Sequence, residues 1–305
     1  MKIFVAGATG VLGRRAVSQF VAAGAEVTGV ARTQEKAVEL RDLGATPVEV
    51  SLFDPDGLTA AIAGHEVVCN LATAIPTGDR VATRSAWNAN HAIRRDGARN
   101  LVDAAIHAGA DRYIQESISF VYADGADEYL DESAPVDPTW ITQSALAAEG
   151  EAARFAGHGG AGVALRFGVF YGPDSAHTIE AIGAARSGLF PIPGPAGAYM
   201  SSVTTDDAAS AVVAALGAPS GVYNVADRPL RRSELAAALS EALGTAPLRL
   251  SAEGADLPED FAMMLRSQRV TSQLFATLTG WQPRFPSAWE GWRFVVDELR
   301  QRPVA

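Results

Sequence analysis

The chain holds one cysteine, Cys69, and two lysines, Lys2 and Lys36, among its 305 residues. A single cysteine excludes a disulfide framework within the chain and fits a reducing compartment, so a cytoplasmic location is expected. Cys69 lies in the apolar run "EVVCNLA" (66–72) and reads as a small buried hydrophobe. No run of about 18 apolar residues occurs, which argues against a membrane-spanning helix. The opening "MKIFVAGATG" breaks into glycines too soon for a signal peptide. No His/Cys spacing suggests a zinc site. Positive charge is also scarce: 25 Lys and Arg face 35 Asp and Glu, for a net charge of −10. Such a surface repels phosphate backbones and anionic lipid, so neither nucleic acid nor membrane is expected as a partner.

With 48% apolar residues, the chain can bury a large core. Short apolar runs alternate with amphipathic ones. "KIFVAG" (2–7), "EVTGVA" (26–31), "TPVEV" (46–50), "EVVCNLA" (66–72), "RYIQES" (112–117) and "GVALRF" (162–167) read as strands. Helices are expected over 11–24, 33–44, 54–64, within 86–109 and over 138–156. Near-continuous apolar strands alternating with helices predict an α/β fold: a doubly wound parallel sheet covered on both faces. Beyond residue 167 the rhythm breaks at the Pro/Gly-rich "FPIPGPAG" (190–197). The expected organisation is a dinucleotide-binding domain, 1–167, completed by 205–228. A smaller C-terminal substrate lobe would comprise 168–204 and 229–305.

The segment "GATGVLG" sits between the first strand and its helix. Gly7 permits the tight exit from the strand, Gly10 lets backbone N–H groups approach a pyrophosphate, and Gly13 lets the helix lie close on the sheet. Thr9, Val11 and Leu12 complete this cradle. The context points to dinucleotide binding. Where the second strand ends, an acid would hold the ribose 2′-OH of NAD. Here the chain has Ala31 and then Arg32, whose guanidinium would pair with a 2′-phosphate. NADP(H) is therefore expected in preference to NAD(H). Arg14 is either a second phosphate partner or the exposed start of a helix.

The order of several segments resembles that of extended or atypical short-chain dehydrogenases/reductases of the NAD-dependent epimerase/dehydratase type. The residues that carry it are "GATGVLG" (7–13), "NLA" (70–72), "DGARNLVDAA" (96–105), "RYIQESISFVYA" (112–123), "LRFGVFYGP" (165–173), "SSVTTDDAA" (201–209), "GVYNVAD" (221–227) and "TGWQPRFPSAWEGW" (279–292). The resemblance implies that Leu71, Ala72 and Thr73 pass the cofactor ribose and that Gly168 and Val169 lie near the nicotinamide. It also implies a homodimer. The family's proton machinery is Ser/Thr, Tyr and Lys, often with an Asn. Alignment puts Ile141 at the Tyr position, Ala145 at the Lys position, Arg94 at the Asn position and Ile118 at the Ser/Thr position, flanked by Ser117 and Ser119. Since no lysine follows Lys36, no Tyr-x-x-x-Lys pair can form.

Candidate replacements lie beyond the carboxyl ends of the strands, where ligands bind in open α/β sheets. Ser117 and Tyr122 follow the fifth strand, and His177 lies in a loop leading to the second lobe. Their ionisable or hydroxyl groups could serve acid–base work. Tyr122 could equally be an aromatic wall, and Glu116 could simply pair with Arg94 or Arg166. His91, His107 and His158 read as surface residues. "FAMML" (261–265) reads as core or substrate lining. The function expected from these residues is that of an atypical NADP(H)-dependent oxidoreductase acting on a small organic carbonyl or alcohol. A non-catalytic NADP(H)-binding sensor, or a non-redox isomerase, cyclase or lyase on the same fold, are the alternatives.

Overall fold

The computed structural model describes residues 1–250 and 257–301; 251–256 and 302–305, assigned from sequence to the second lobe, lie outside the described residues. Seven strands form one parallel sheet: β1 (Lys2–Ala6), β2 (Glu26–Val30), β3 (Thr46–Val48), β4 (Val67–Asn70), β5 (Arg112–Ile118), β6 (Ala161–Phe167) and β7 (Gly221–Val225). Their order is β7-β6-β5-β4-β1-β2-β3. The winding reverses between β1 and β4, and such a switch point opens a crevice at the carboxyl ends of the strands.

Helices cover both faces, as strands with two buried faces demand. On one face α1 (Val11–Ala22) and α8 (Thr205–Ala214) pack with Ile3, Val5, Cys69 and Ile114. On the other, α3 (Pro55–Ile62), α5 (Ala98–His107) and α6 (Gln143–Gly157) pack with Phe4, Val68 and Tyr113. Cys69 is fully buried, and burial pushes its thiol up. A third core, around Tyr171, Leu235, Leu239 and Trp292, joins α7 (Ala176–Arg186), α9 (Arg232–Leu243) and α11 (Ala288–Gln301).

Two helices differ from their expected spans. The run expected within 86–109 begins with a 3₁₀ turn at Arg84–Trp87, continues as α4 (Asn88–Ala92), widens into a π turn at Ile93–Gly97 and ends as α5. The π turn leaves Arg94 facing inward, buried. The helix expected from 138 starts at Gln143, since Thr139 and Thr142 close a turn after Pro138.

One buried acid ties the end of the sheet to the third core. Asp227, just past β7, accepts from the Tyr171 hydroxyl at 3.0 Å and from Ser202 at 3.2 Å. Burial, with no cation in contact and with Asp207 and Glu290 nearby, pushes its carboxyl well above the usual range. The folded state therefore holds a proton that the unfolded chain releases above about pH 4. Stability should fall as pH rises from there through the folded value, with a slope approaching about 1.4 kcal/mol per pH unit. Asp227→Asn should flatten this loss, which denaturant melts of both chains from acid to mildly alkaline pH would reveal. Parallel curves would mean that the carboxyl is ionised in place.

Candidate active site

Three of the helices that flank the sheet carry side-chain caps, and α1 carries none. Thr33 caps α2 (Gln34–Asp42), Asp54 caps α3 and Thr204 caps α8, each accepting from a backbone N–H. At α1 the N-cap is Gly10, with no side-chain cap and no acid in the first turn. Gly10 is exposed, so the first N–H groups of α1 face outward, where an anion can take the place of the missing cap. The two flanking glycines make the close approaches. A Cβ on Gly7, which has φ +77°, would come within 2.5 Å of the Leu71 carbonyl carbon, and a Cβ on Gly13 would run into the Gly7 carbonyl oxygen. These features fit a dinucleotide pyrophosphate. When bound, the nicotinamide cofactor supplies or accepts a hydride.

The other expected cofactor contacts lie along the same edge of the sheet. Leu71 follows β4 and donates its N–H to Ala6; Ala72 donates to the Asn70 side chain; Thr73 continues the extended chain. Arg32 follows β2, exposed, and makes no ion pair among the described residues. Thr9, Val11 and Leu12 lie in the turn and first residues of α1. Gly168 follows β6, donates to Val225, and lets Val169–Tyr171 pair closely with Ser202–Thr204; Val169 is half-buried at that crossing. Arg14 does not point at this cradle. It pairs with Asp174 and Glu39, while its neighbour Arg15 pairs with Asp174 and Asp206.

Where the resemblance puts a Tyr hydroxyl and a Lys ammonium, the chain places hydrocarbon. Ile141 is buried against Trp87 and Met263, walled by half-buried Phe120, Trp140, Phe261 and Met264. Ala145 is fully buried on α6. Buried polar groups of the same elements form two paired networks. Arg94, at the usual Asn position, holds both Glu116 oxygens at 2.7 Å. Burial, opposed by Arg94, leaves the Glu116 carboxyl above its usual range. Ser117 donates to Glu149 at 2.6 Å, and Glu149 accepts a fork from Arg166 at 2.8 and 2.7 Å. Burial opposes the Arg166 charge, but Glu149 more than compensates and holds that guanidinium above its usual value. The Arg166 guanidinium lies 4.9 Å from the Tyr122 ring centre.

Ser117 and Tyr122 therefore share one network through Arg166, and His177 stands apart. Tyr122 is 0% exposed and donates to Asn224 at 2.8 Å. Burial raises its hydroxyl pKa, although Arg166 opposes this. His177 is not in a loop: it is an exposed residue of the first turn of α7, bonded to Ser175 and the Phe170 carbonyl. His91, expected at the surface, is 8% exposed. Its Nδ1 lies 2.9 Å from Ser144, its ring meets Trp140 edge-on, and its Nε2 has no partner. Burial, then Arg95 and Arg94, hold His91 below its usual value, so it is neutral at neutral pH. Its signal in the sequence is the spacing of Trp87, Asn90, His91 and Arg94, an inward helical stripe with polar members.

Residues 7–160 match a family model described as NAD(P)H-binding. A 3-diazoavenalumate denitrifying reductase of a Streptomyces species is 31% identical over 312 residues, covering 95% of this chain and 99% of that protein. A 2-alkyl-3-oxoalkanoate reductase of Shewanella oneidensis is 29% identical over 70% of this chain and 56% of its own. Among solved structures, a UDP-glucose 4-epimerase of Thermus thermophilus in complex with NAD shares the fold, with TM-score 0.80 at 23% identity over 99% of this chain and 100% of that one. Among the described residues, no helix is long and apolar enough to cross a membrane. With its open α1 N-terminus, its parallel sheet and these matches, the chain belongs to the NAD(P)H-binding family and has the fold of the epimerase.

Proposed function

We propose that this protein is an NADP(H)-dependent reductase whose small organic substrate accepts a hydride without an enzyme-borne Tyr–Lys proton relay. The observation that carries this reading is the wall of Ile141, Trp87 and Met263 at the relay position. A ketone that accepts a hydride becomes an alkoxide and needs a proton; a buried hydrocarbon wall cannot give one. A diazonium group differs. It is already cationic, and R–N₂⁺ plus a hydride gives R–H and N₂ with charge and atoms balanced and no proton consumed. The similarity to a denitrifying reductase of a diazo compound over nearly the whole chain supports this acceptor class. Arg32, unpaired beside the cradle, supports NADP(H) over NAD(H).

In this reading the chain's residues bind and exclude water. The aromatic and methionine side chains around Ile141 give a planar substrate an apolar bed. Tyr122, bonded to Asn224, and Ser117, bonded to Glu149, hold the carboxyl ends of β5 and β6 in place. The 2-alkyl-3-oxoalkanoate reductase relative favours a second reading, the carbonyl substrate expected from sequence, with water as the proton source. Incubating the chain with NADPH and an aryl diazonium salt should oxidise one NADPH per N₂ released, and Tyr122→Phe should keep that rate within about threefold, since the hydroxyl is engaged by Asn224. Oxidation of NADPH by ketones but not by the diazonium salt would instead establish the second reading.

A further inference from the structure

Arg232 opens α9 just behind the methionine wall, and it is 1% exposed. Its Nη2 donates to the backbone carbonyls of Met264, at 2.6 Å, and Arg266, at 3.1 Å. Its Nε and Nη1 are buried and have no acceptor among the described residues. No carboxylate among the described residues lies within ion-pair distance of it; Asp124 acts on it only through space and is itself bonded to backbone N–H groups of Ala126 and Ser267. The other guanidinium groups nearby already have partners: Arg231 pairs with Asp127, and Arg266 with Asp137. Burial without a counter-ion pushes Arg232 down to about 10.

A buried charge is kept in a fold when something compensates it. Arg94 and Arg166 each follow that rule with a glutamate at 2.7 Å. Arg232 breaks it, and the chain makes room for it: a Cβ on Gly194, which has φ +115°, would lie 2.8 Å from the Arg232 Nε, so only glycine lets this loop pass the guanidinium. The carbonyls that orient Arg232 come from the segment whose side chains Met263 and Met264 face Ile141. The anchor and the apolar bed are thus built from one stretch of chain.

The geometry points to Arg232 as the anchor for a carboxylate carried by the substrate: the substrate class is a planar aryl or unsaturated carboxylic acid, its apolar body on the wall around Ile141 and its carboxylate accepting from Nη1. This deepens the reductase reading and rests on it only for the identity of the molecule that brings the carboxylate.

Calorimetric titration of the full chain loaded with NADP⁺ separates the possibilities. The probes are cinnamate, its uncharged analogue cinnamamide, and acetate. Cinnamate should bind, with cinnamamide weaker by roughly tenfold to a hundredfold, the value of charge-assisted hydrogen bonds. Acetate at the same concentration should give no comparable heat. Arg232→Gln should bind cinnamate and cinnamamide alike while keeping its NADP⁺ affinity. Equal affinity of the unaltered chain for cinnamate and cinnamamide would overturn the proposal, and that comparison decides even if Arg232→Gln fails to fold. Acetate binding as tightly as cinnamate would also overturn it, as a site for free anions. No nicotinamide is oxidised in this titration, so absence of diazo or ketone turnover would sink the reductase reading and leave the anchor standing.

Discussion

Replacing Arg32 by Asp is expected to weaken NADPH binding by roughly a hundredfold while changing NADH binding by less than about threefold. The reason is local. β2 ends beside β1, whose carboxyl end opens into the Gly7–Gly13 turn, and the proposed function puts the residue after Ala31 at the adenosine end of the cradle. Arg32 is exposed and makes no ion pair among the described residues, so removing it breaks nothing in the fold. A guanidinium facing a 2′-phosphate makes charge-assisted hydrogen bonds of about 1.5–3 kcal/mol. An aspartate in its place adds repulsion toward the phosphate but offers an acceptor to a ribose 2′-OH. Fluorescence titration of the two reduced nucleotides against both chains reads the ratio directly. Equal losses for NADPH and NADH would show that Arg32 does not select between them.

Much of the fold was legible because parallel strands with two buried faces are written as nearly unbroken apolar runs. At the edge of the sheet Gly221–Val225 pairs in parallel with Ala161–Phe167. That no Tyr-x-x-x-Lys pair can follow Lys36 is a matter of counting. The polar interior was harder to read. Arg94 and His91 sit in what looks like an ordinary charged helix, and only the π turn at Ile93–Gly97 and the packing of α6 bring them inside. In "RRSELAAALSEALG" nothing separates the first two arginines, yet Arg232 is buried while Arg231 is not. Which of two adjacent arginines enters the interior depends on the Gly194 loop and the 264–266 carbonyls, contacts distant in sequence. His177 misled for the opposite reason: a histidine beside Gly and Pro suggests a loop, but Ser175 starts a helix there.

The largest effect on stability is expected from Glu116→Gln. Arg94 and Glu116 are 1% and 4% exposed, so water cannot screen either charge. Glu149, held by Arg166 and Ser117, adds a second negative charge close enough to raise Glu116. Removing the Glu116 charge leaves Arg94 buried with an amide oxygen in place of a carboxylate, and breaking a buried pair from one side costs about 3–5 kcal/mol. Removing both charges is different, because well-packed apolar side chains need no desolvation to be offset. Arg94→Met with Glu116→Leu should therefore recover most of the loss, and the coupling between the two positions should be favourable and larger than about 2 kcal/mol. Urea unfolding of the four chains of this cycle measures it. If each single variant were as stable as the unaltered chain, the pair would hold nothing in place. If the double variant fell as far as Glu116→Gln, the fold would need Arg94 and Glu116 for their shape and hydrogen bonds.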